Sequence, residues 1–192
     1  MMAAIVLAAG QSRRMGRNKL LLPFGRSTVI ETIVTEVQAG QVGDILVVTG
    51  HERERIEAQL ATYPVRCIFN SDYARAEMLT SLQVGLRALA ENVEAALIVL
   101  GDQPRIQHDI ERRVIGAYRP GALIIPSFER QRGHPILLDR SIWPDVLAAP
   151  TEATLRDVIQ AHTDRIRYVE VESDSVLRDI DTPEDYAQAM RE

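Results

Sequence analysis

The sequence predicts an α/β fold: a doubly wound, mostly parallel β-sheet of Rossmann-like type, extended by a C-terminal α/β elaboration. Short apolar runs alternate with longer segments of helical period. The runs are nearly continuous in apolar residues, as expected for parallel strands covered on both faces. The order strand–helix repeats four times, which is typical of βαβ crossovers. With 192 residues, the length favours a single domain.

The first two thirds of the chain carry the regular alternation. The segments predicted as strands are 3–8, 44–49, 65–69, 95–100 and 122–126, and those predicted as helices are 27–39, 52–60, 79–91 and 107–118. After residue 126 the rhythm changes: a strand and a short helix are expected within 133–143, a helix from about 153, and a strand of alternating pattern at 166–172. A last helix is predicted with Asp181 or Thr182 as N-cap and Pro183 in its first turn.

Composition and charge exclude several classes of protein. The net charge of −5 argues against a dedicated nucleic-acid or anionic-membrane binder, which normally has a basic excess. A single cysteine, Cys67, cannot form an internal disulfide and is interpreted as a small buried residue. No signal peptide and no apolar stretch of membrane-spanning length is recognised, so we expect a cytoplasmic protein with no membrane partner.

The loop after the first predicted strand is glycine-rich and basic. Positions 13–26 hold four arginines and Lys19 but no acidic residue. The loop lacks the spacing of a P-loop, and Gly10 and Gly16 lie too far apart for a dinucleotide fingerprint. Its backbone N–H groups, with Arg14 and Lys19, are suited to a phosphate group. The alternative is a solvated loop that only connects two elements.

Two carboxylates stand where a metal site is expected. Asp102 follows the fourth predicted strand, and Asp181 precedes the last predicted helix. Ligands of open α/β sheets bind outside the carboxyl ends of the strands. Mg²⁺ takes few protein oxygens and completes its shell with water and substrate phosphates, so Asp102 and Asp181 are its candidate ligands. The alternatives are a turn-stabilising role for Asp102 and a helix cap for Asp181.

Five segments, in this order, resemble the molybdenum cofactor cytidylyltransferase branch of the nucleotidyltransferases. They are LAAGQSRRMGRNKLLLPFG, NSDYARAEMLTSLQVGL, VLGDQP, RGHPILL and DIDTPEDY, and together they extend over nearly the whole chain. The resemblance implies a nucleotidyltransferase fold and the transfer of CMP from CTP to the phosphate of molybdopterin cofactor, with release of pyrophosphate and use of Mg²⁺. It also implies, as a partner, a molybdoenzyme that receives the product.

Carried over by motif, the resemblance assigns roles to individual residues. Catalytic roles fall to Arg14, Lys19 and Asp102, and metal binding to Asp102 and Asp181. The acceptor would contact Gly133, His134 and Pro135. The nucleotide would contact Leu7, Ala8, Ala9, Gly10, Ser12, Arg14, Gly16, Lys19, Asn70 and Ser81, with Ala9 helping to choose the base. Residues 1–192 would form one nucleotidyltransferase domain, with a nucleotide-binding half to about residue 105 and an acceptor-binding half over about 106–192.

One segment departs from the family pattern and leaves alternatives open. Relatives tend to have Gly-Met before the Ser-Leu element, whereas this chain has Ala76-Glu77-Met78. A glutamate at a position of expected close backbone approach changes the size and the charge of the acceptor side, so the acceptor is left open. The alternatives are a nucleotidyltransferase for another small phosphorylated acceptor, the use of GTP in place of CTP, and a non-catalytic chaperone that binds the cofactor.

Overall fold

The computed structural model describes residues 1–74 and 78–191, and within them it contains ten strands and seven helices. The strands are β1 (Met2–Ala8), β2 (Pro23–Phe24), β3 (Ser27–Thr28), β4 (Asp44–Thr49), β5 (Arg66–Phe69), β6 (Ala95–Leu100), β7 (Leu123–Phe128), β8 (Gln131–Arg132), β9 (Ile136–Asp139) and β10 (Ile166–Glu170). The helices are α1 (Val29–Ala39), α2 (Arg53–Gln59), α3 (Met78–Ala88), α4 (His108–Gly116), α5 (Trp143–Ala148), α6 (Leu155–Ala161) and α7 (Pro183–Ala189).

One mixed sheet organises the described part of the chain, with strand order β10-β7-β9-β6-β1-β4-β5 and β8 paired to β7. The pairs β1–β4, β1–β6, β4–β5 and β7–β10 are parallel. Within this sheet, β9 pairs antiparallel with both of its neighbours, and β8 pairs antiparallel with β7. Strands β2 and β3 form a separate two-stranded antiparallel sheet. The prediction of a mostly parallel α/β sheet is therefore confirmed.

The continuous apolar runs are explained by packing on both faces of the sheet. In β1, Ala4 and Val6 join a core cluster with Val34 of α1, whereas Ile5 joins the opposite cluster with Leu82 of α3. Successive strand residues point to opposite faces, so a strand covered by helices on both sides is apolar at every position.

The edge strands differ from the buried ones. β5 exposes Arg66 and Phe69, and β10 exposes Arg167, Tyr168 and Glu170. The alternation predicted for β10 is not seen in its burial, because Tyr168 is exposed beside the exposed Arg167. Both strands have a neighbour on one side only, and solvent reaches their side chains.

The capping residues explain where several helices begin. Thr28 and Thr154 form capping boxes with Glu31 and Asp157 at the starts of α1 and α6. Thr182 does the same for α7 by accepting a hydrogen bond from the backbone N–H of Asp185. Of the two candidates for the N-cap of α7, Asp181 and Thr182, the structure therefore shows Thr182. The carboxylate of Asp181 remains available for other contacts.

Strand β9 is reversed relative to its neighbours, and this sets the position of the segment before it. Ile136 pairs with Ile98, and Asp139 with Ala95. Because β9 runs against β6, its beginning lies near the carboxyl end of β6. Residues 133–135 are thereby brought toward the loop that carries Asp102.

One carboxyl group is buried in helix α4, outside the two cavities described below. Glu111 of α4 is 1% exposed, and its Oε2 has no hydrogen-bond partner among the described residues. Burial, together with the negative charge of Glu36 on α1, raises the pKa of Glu111 to about 8. Glu36 itself accepts a hydrogen bond from the backbone N–H of His108, at 2.8 Å.

No helix in the described ranges is long and apolar enough to cross a membrane. The division into a nucleotide-binding half and an acceptor-binding half near residue 105 stays a prediction.

Candidate active site

Two adjoining cavities open at the carboxyl ends of β1 and β6. The larger, of about 520 Å³, is lined by Leu7, Gly10, Gln11, Ser12, Arg13, Arg14, Lys19, Leu20, Tyr73, Ala74, Gly101, Asp102 and Asp181. The smaller, of about 310 Å³, is lined by Leu7, Ala9, Gly10, Tyr73, Met78, Ser81, Leu100, Gly101, Asp102 and Asp179. We call them the basic cavity and the apolar cavity. They share lining residues, so one extended ligand can occupy both.

The loop after β1 folds back on itself without forming an α-helix. Ser12 has a left-handed backbone with φ of 50°, and its Oγ accepts a hydrogen bond from the backbone N–H of Lys19 at 3.1 Å. Gly16 also has positive φ, and it ends a short 3₁₀ turn over Arg13–Met15. The side chain of Asn18 caps a second such turn by accepting from the backbone N–H of Leu20. These bonds fix the positions of Arg14 and Lys19 on the rim of the basic cavity.

Lys19 joins the two predicted metal ligands. Its Nζ donates to Asp102 Oδ2 at 2.7 Å and to Asp181 Oδ1 at 3.0 Å. Burial alone would lower the pKa of Lys19, but the charge of Asp102, its hydrogen bond and the contact with Asp181 outweigh burial and raise this pKa. The ammonium group is therefore firmly protonated at neutral pH. Lys19 is also the one lysine in the sequence.

Arg14 makes a second ion pair at the rim. Its guanidinium lies 2.8 Å from Asp181 Oδ2, so Asp181 is held by two cations while Asp102 is held by one. The side chain of Arg14 is 68% exposed, and a pair of this kind contributes little to folding stability. Its exposure leaves the guanidinium able to turn toward an anionic ligand in the cavity.

The segment around Asp181 is attached to the turn after β6. The backbone N–H of Ile180 donates to the carbonyl oxygen of Asp102 at 2.9 Å, and Gln103 Nε2 donates to Asp179 Oδ1 at 2.6 Å. Partial desolvation and the negative charge of Asp102 raise the pKa of Asp179. These two hydrogen bonds bring the Asp179–Asp181 segment next to the turn at the carboxyl end of β6.

The donor set fits a divalent cation with few protein ligands. One ammonium group bridges Asp102 and Asp181, so both carboxylates can reach a single positive charge. Asp102 Oδ1 is buried and has no hydrogen-bond partner among the described residues. Over the same residues, no group of three or more histidine, cysteine, aspartate or glutamate side chains could hold a metal.

The predicted nucleotide-binding residues fall into two groups. Leu7, Ala9, Gly10, Ser12, Arg14, Lys19 and Ser81 line one or both cavities, whereas Ala8, Gly16 and Asn70 do not. Ala8 is buried in the core, and Gly16 ends a turn. Asn70 is 2% exposed and donates from Nδ2 to Ser81 Oγ at 3.0 Å, so it supports a cavity residue.

The predicted acceptor segment, 133–135, is not among the residues that line the two cavities. The backbone N–H of Gly133 donates to Pro126 and that of His134 to Val176. A Cβ on Gly133 would lie 2.6 Å from Val176 atoms, so this glycine permits close packing within the protein. His134 Nε2 is buried without a partner among the described residues. Burial, opposed by the charge of Asp102, lowers the pKa of His134 to about 4. Contact of Gly133, His134 and Pro135 with an acceptor stays a prediction.

Sequence reasoning missed several lining residues. Tyr73 and Met78 belong to the NSDYARAEM motif, but no role was predicted for either. Gly101 is needed because a Cβ there would lie 2.5 Å from the carbonyl oxygen of Leu7. Ala76 and Glu77, which depart from the family pattern, lie outside the described residues.

Comparisons with known proteins agree with this geometry. A family model described as the MobA-like NTP transferase domain matches residues 4–166. The chain is 30% identical over 186 residues to a molybdenum cofactor cytidylyltransferase from Escherichia coli (strain K12), covering 96% of this chain and 93% of the relative. It is also 26% identical over 189 residues to a nicotine blue oxidoreductase from Paenarthrobacter nicotinovorans, covering 94% and 92%.

A solved structure extends the comparison to three dimensions. A nucleotidyl transferase from Methanothermobacter thermautotroptrophicus superimposes with a TM-score of 0.88 and 27% sequence identity, covering 100% of this chain and 96% of that chain. The similarity to these proteins therefore extends along nearly the whole sequence. It accompanies the strand order, the basic loop after β1 and the carboxylates at the sheet edge. The chain belongs to the MobA-like NTP transferase domain family and is a nucleotidyltransferase of that family.

Proposed function

We propose that this protein transfers CMP from CTP to the phosphate of molybdopterin cofactor, releases pyrophosphate and uses Mg²⁺. The observation that carries the proposal is the Lys19 ammonium held between Asp102 and Asp181, 2.7 and 3.0 Å away, at the end of a glycine-rich basic loop. Nucleotidyl transfer needs groups that bind a triphosphate and carboxylates that accept a divalent cation. A carrier of the cofactor needs neither.

In the proposed reaction an oxygen of the acceptor phosphate forms a bond to the α-phosphorus of CTP. The bond from that phosphorus to the oxygen shared with the β-phosphate breaks, and its electron pair leaves with pyrophosphate. Little covalent chemistry is required of the protein, so positioning and charge stabilisation supply the catalysis. Bound Mg²⁺ would supply positive charge next to the phosphate oxygens, with Asp102 as its main protein ligand and Asp181 as the second.

The loop residues supply the positioning. Open space lies around Gly10, since a Cβ there would meet nothing within 4 Å, and the triphosphate can approach the backbone N–H groups closely. Lys19 has three N–H donors, so it can keep a carboxylate contact while donating to a phosphate oxygen. Arg14, exposed at the rim, turns from Asp181 toward the same phosphates. Both side chains then stabilise the charge that develops on the α-phosphate.

Base choice and acceptor choice are the finer parts of the proposal. Support for CTP comes from Ala9, which lines the apolar cavity, and from the likeness to the cytidylyltransferase. Support for the acceptor comes from the RGHP segment, which β9 brings toward Asp102. The molybdoenzyme that would receive the product belongs to the same proposal.

The test is pyrophosphate release with Mg²⁺ and molybdopterin cofactor, comparing CTP, GTP and ATP, and then a small sugar phosphate as acceptor. We expect release with CTP well above release with the other two nucleotides. Preference for GTP would overturn the base assignment, and activity only with the sugar phosphate would overturn the acceptor. No release with any pair would favour the chaperone.

The variant Asp102→Asn tests the role given to the carboxylate. We expect transfer to fall at least about 100-fold, because an amide is a poor ligand for Mg²⁺ and leaves Lys19 with one carboxylate less. The matched control is Asp145→Asn, which removes an exposed carboxylate on α5 that pairs with His162 outside both cavities. Full activity of the Asp102 variant would remove this residue from the mechanism.

A further inference from the structure

The basic and apolar cavities meet at one aromatic side chain. Tyr73 lines both cavities, and among their described lining residues it is the only aromatic one. The other shared residues are Leu7, Gly10, Gly101 and Asp102. A ligand that extends through both cavities therefore lies beside Tyr73 and these four residues.

The backbone of Tyr73 is fixed by a short hydrogen-bonded turn. Its N–H donates to the carbonyl oxygen of Asn70 at 3.3 Å, and the N–H of Asp72 donates to Asn70 Oδ1 at 3.0 Å. The amide of Asn70 in turn donates to Ser81 on α3. This turn connects the end of β5 to the wall of the apolar cavity, so the position of Tyr73 is set before any ligand arrives.

The ring of Tyr73 has aromatic and backbone neighbours that limit its movement. Its centroid lies 6.1 Å from that of Phe69 and 6.2 Å from that of His51, both in tilted arrangements. A Cβ on Gly50 would lie 2.6 Å from Tyr73 Cβ and 2.6 Å from the carbonyl oxygen of Ala9. The close approach of Tyr73 to the strand ends therefore depends on a glycine at position 50.

The two cavities differ in the chemistry that they offer. The basic cavity carries Arg13, Arg14 and Lys19, whereas the apolar cavity has no basic residue among those that the structure describes around it. Its lining includes Leu7, Ala9, Met78 and Leu100, together with Ser81, Asp102 and Asp179. A nucleoside triphosphate has the same division: a charged end, and a flat aromatic end with an apolar face. With its phosphates at the basic loop, its base lies in the apolar cavity next to Tyr73.

We propose that Tyr73 stacks on the nucleobase of the bound nucleotide and thereby supplies affinity for the nucleoside part. This inference rests on the proposed function, since it needs a nucleoside triphosphate as substrate. Every base has a π-face, so stacking on tyrosine strengthens binding of all of them and leaves the choice of base to other residues. The role belongs to substrate binding, and the phosphate contacts are independent of it.

The test compares the binding of CTP with that of inorganic tripolyphosphate, by calorimetry in the presence of Mg²⁺. Tyr73→Ala should weaken CTP binding by roughly 10- to 100-fold, the usual range for loss of one base–aromatic contact, and leave tripolyphosphate binding unchanged. Tyr73→Phe should bind CTP as the wild type does, because the ring is kept. GTP and ATP should lose affinity in Tyr73→Ala by a similar factor.

The matched control is Tyr168→Ala, which removes an exposed tyrosine of β10 outside both cavities and should bind CTP normally. Equal loss of CTP and tripolyphosphate binding in Tyr73→Ala would overturn stacking, since it would indicate a general disturbance of the loop. Unchanged CTP binding, with a raised KM for the acceptor, would place the pterin ring against Tyr73 and also overturn the proposal. A wild-type protein that binds tripolyphosphate but no nucleotide would refute the proposed function itself.

Discussion

Replacing Lys19 by methionine should strengthen metal binding while it abolishes catalysis. In the structure the ammonium of Lys19 occupies the place between Asp102 Oδ2 and Asp181 Oδ1, at 2.7 and 3.0 Å. A divalent cation that approaches these carboxylates in the absence of nucleotide must break at least one of the two bonds. Methionine has nearly the same length and no charge, so the Lys19→Met variant removes this competition and leaves most of the packing in place.

The size of the effect follows from the bond that is lost. A hydrogen bond to a charged group contributes about 1.5–3 kcal/mol, and the three side chains are only 12–29% exposed, so solvent screens the pair weakly. Loss of one such bond corresponds to about 10- to 150-fold in affinity. We therefore expect Mn²⁺, added without nucleotide, to bind Lys19→Met about 10- to 150-fold more tightly than the wild type.

The assay is electron paramagnetic resonance of free Mn²⁺ during a titration, with pyrophosphate release measured on the same samples. Lys19→Arg is the matched control, because it keeps a positive charge and should leave metal affinity close to that of the wild type. With CTP present, the wild type should gain metal affinity far more than the variant, since the triphosphate draws Lys19 away from the carboxylates. Unchanged or weaker Mn²⁺ binding in Lys19→Met would show that the ammonium does not compete for this site.

Two further predictions concern groups outside the ion pair. The pKa of Glu111 is about 8 in the folded state and about 4.5 in the unfolded chain. Between these pH values the folded state binds more protons than the unfolded chain, so the stability of the fold decreases as the pH rises. The free energy of unfolding should therefore fall by on the order of 3–5 kcal/mol between pH 5 and pH 8, and Glu111→Gln should remove this fall. Denaturant titrations of both proteins over this pH range measure it. Parallel pH profiles of the two proteins would contradict a buried, protonated Glu111. Gly50→Ala should displace Tyr73 and weaken CTP binding, because the added Cβ would lie 2.6 Å from Tyr73 and from the Ala9 carbonyl oxygen. The control is Gly116→Ala, whose added Cβ meets nothing within 4 Å and should leave CTP binding unchanged. Equal CTP affinities of the two glycine variants would argue against the close packing at position 50.

Much of the fold was predictable because burial on both faces leaves a clear trace. Strands β1, β4 and β6 are apolar at nearly every position, and the loop after β1 departs from that pattern at once. The position of Asp102 beside the basic loop followed from the rule that the carboxyl ends of parallel strands share one edge of the sheet, whereas Asp181 was proposed from its own segment and from the resemblance. These inferences needed only patterns that are local in sequence.

The parts that were not predicted depend on information that a pattern lacks. The buried run of β9 gives no sign of its direction, since a pattern of apolar residues is the same when the strand is reversed. The packing of Gly133 against Val176 joins residues distant in sequence, and no local pattern indicates it. Tyr73 stands in a turn, where an aromatic side chain is equally compatible with the surface and with a cavity. Its place between two cavities appears only when β5, α3 and the loop after β1 are assembled.

The hydrogen bond from Ile180 to Asp102 joins a late segment of the chain to an early one, so the site is completed late in synthesis. During synthesis, the strands that carry the basic loop and Asp102 emerge first, and they can form the parallel block β5-β4-β1-β6. The other half of the sheet joins that block through β9, and Asp181 arrives only with the segment that precedes α7. A nascent chain that has made the loop and the first carboxylate still lacks the second. Under the proposed function, metal and nucleotide would therefore bind most tightly once the Asp181 segment is folded in place, and they would stabilise that state over the earlier intermediates.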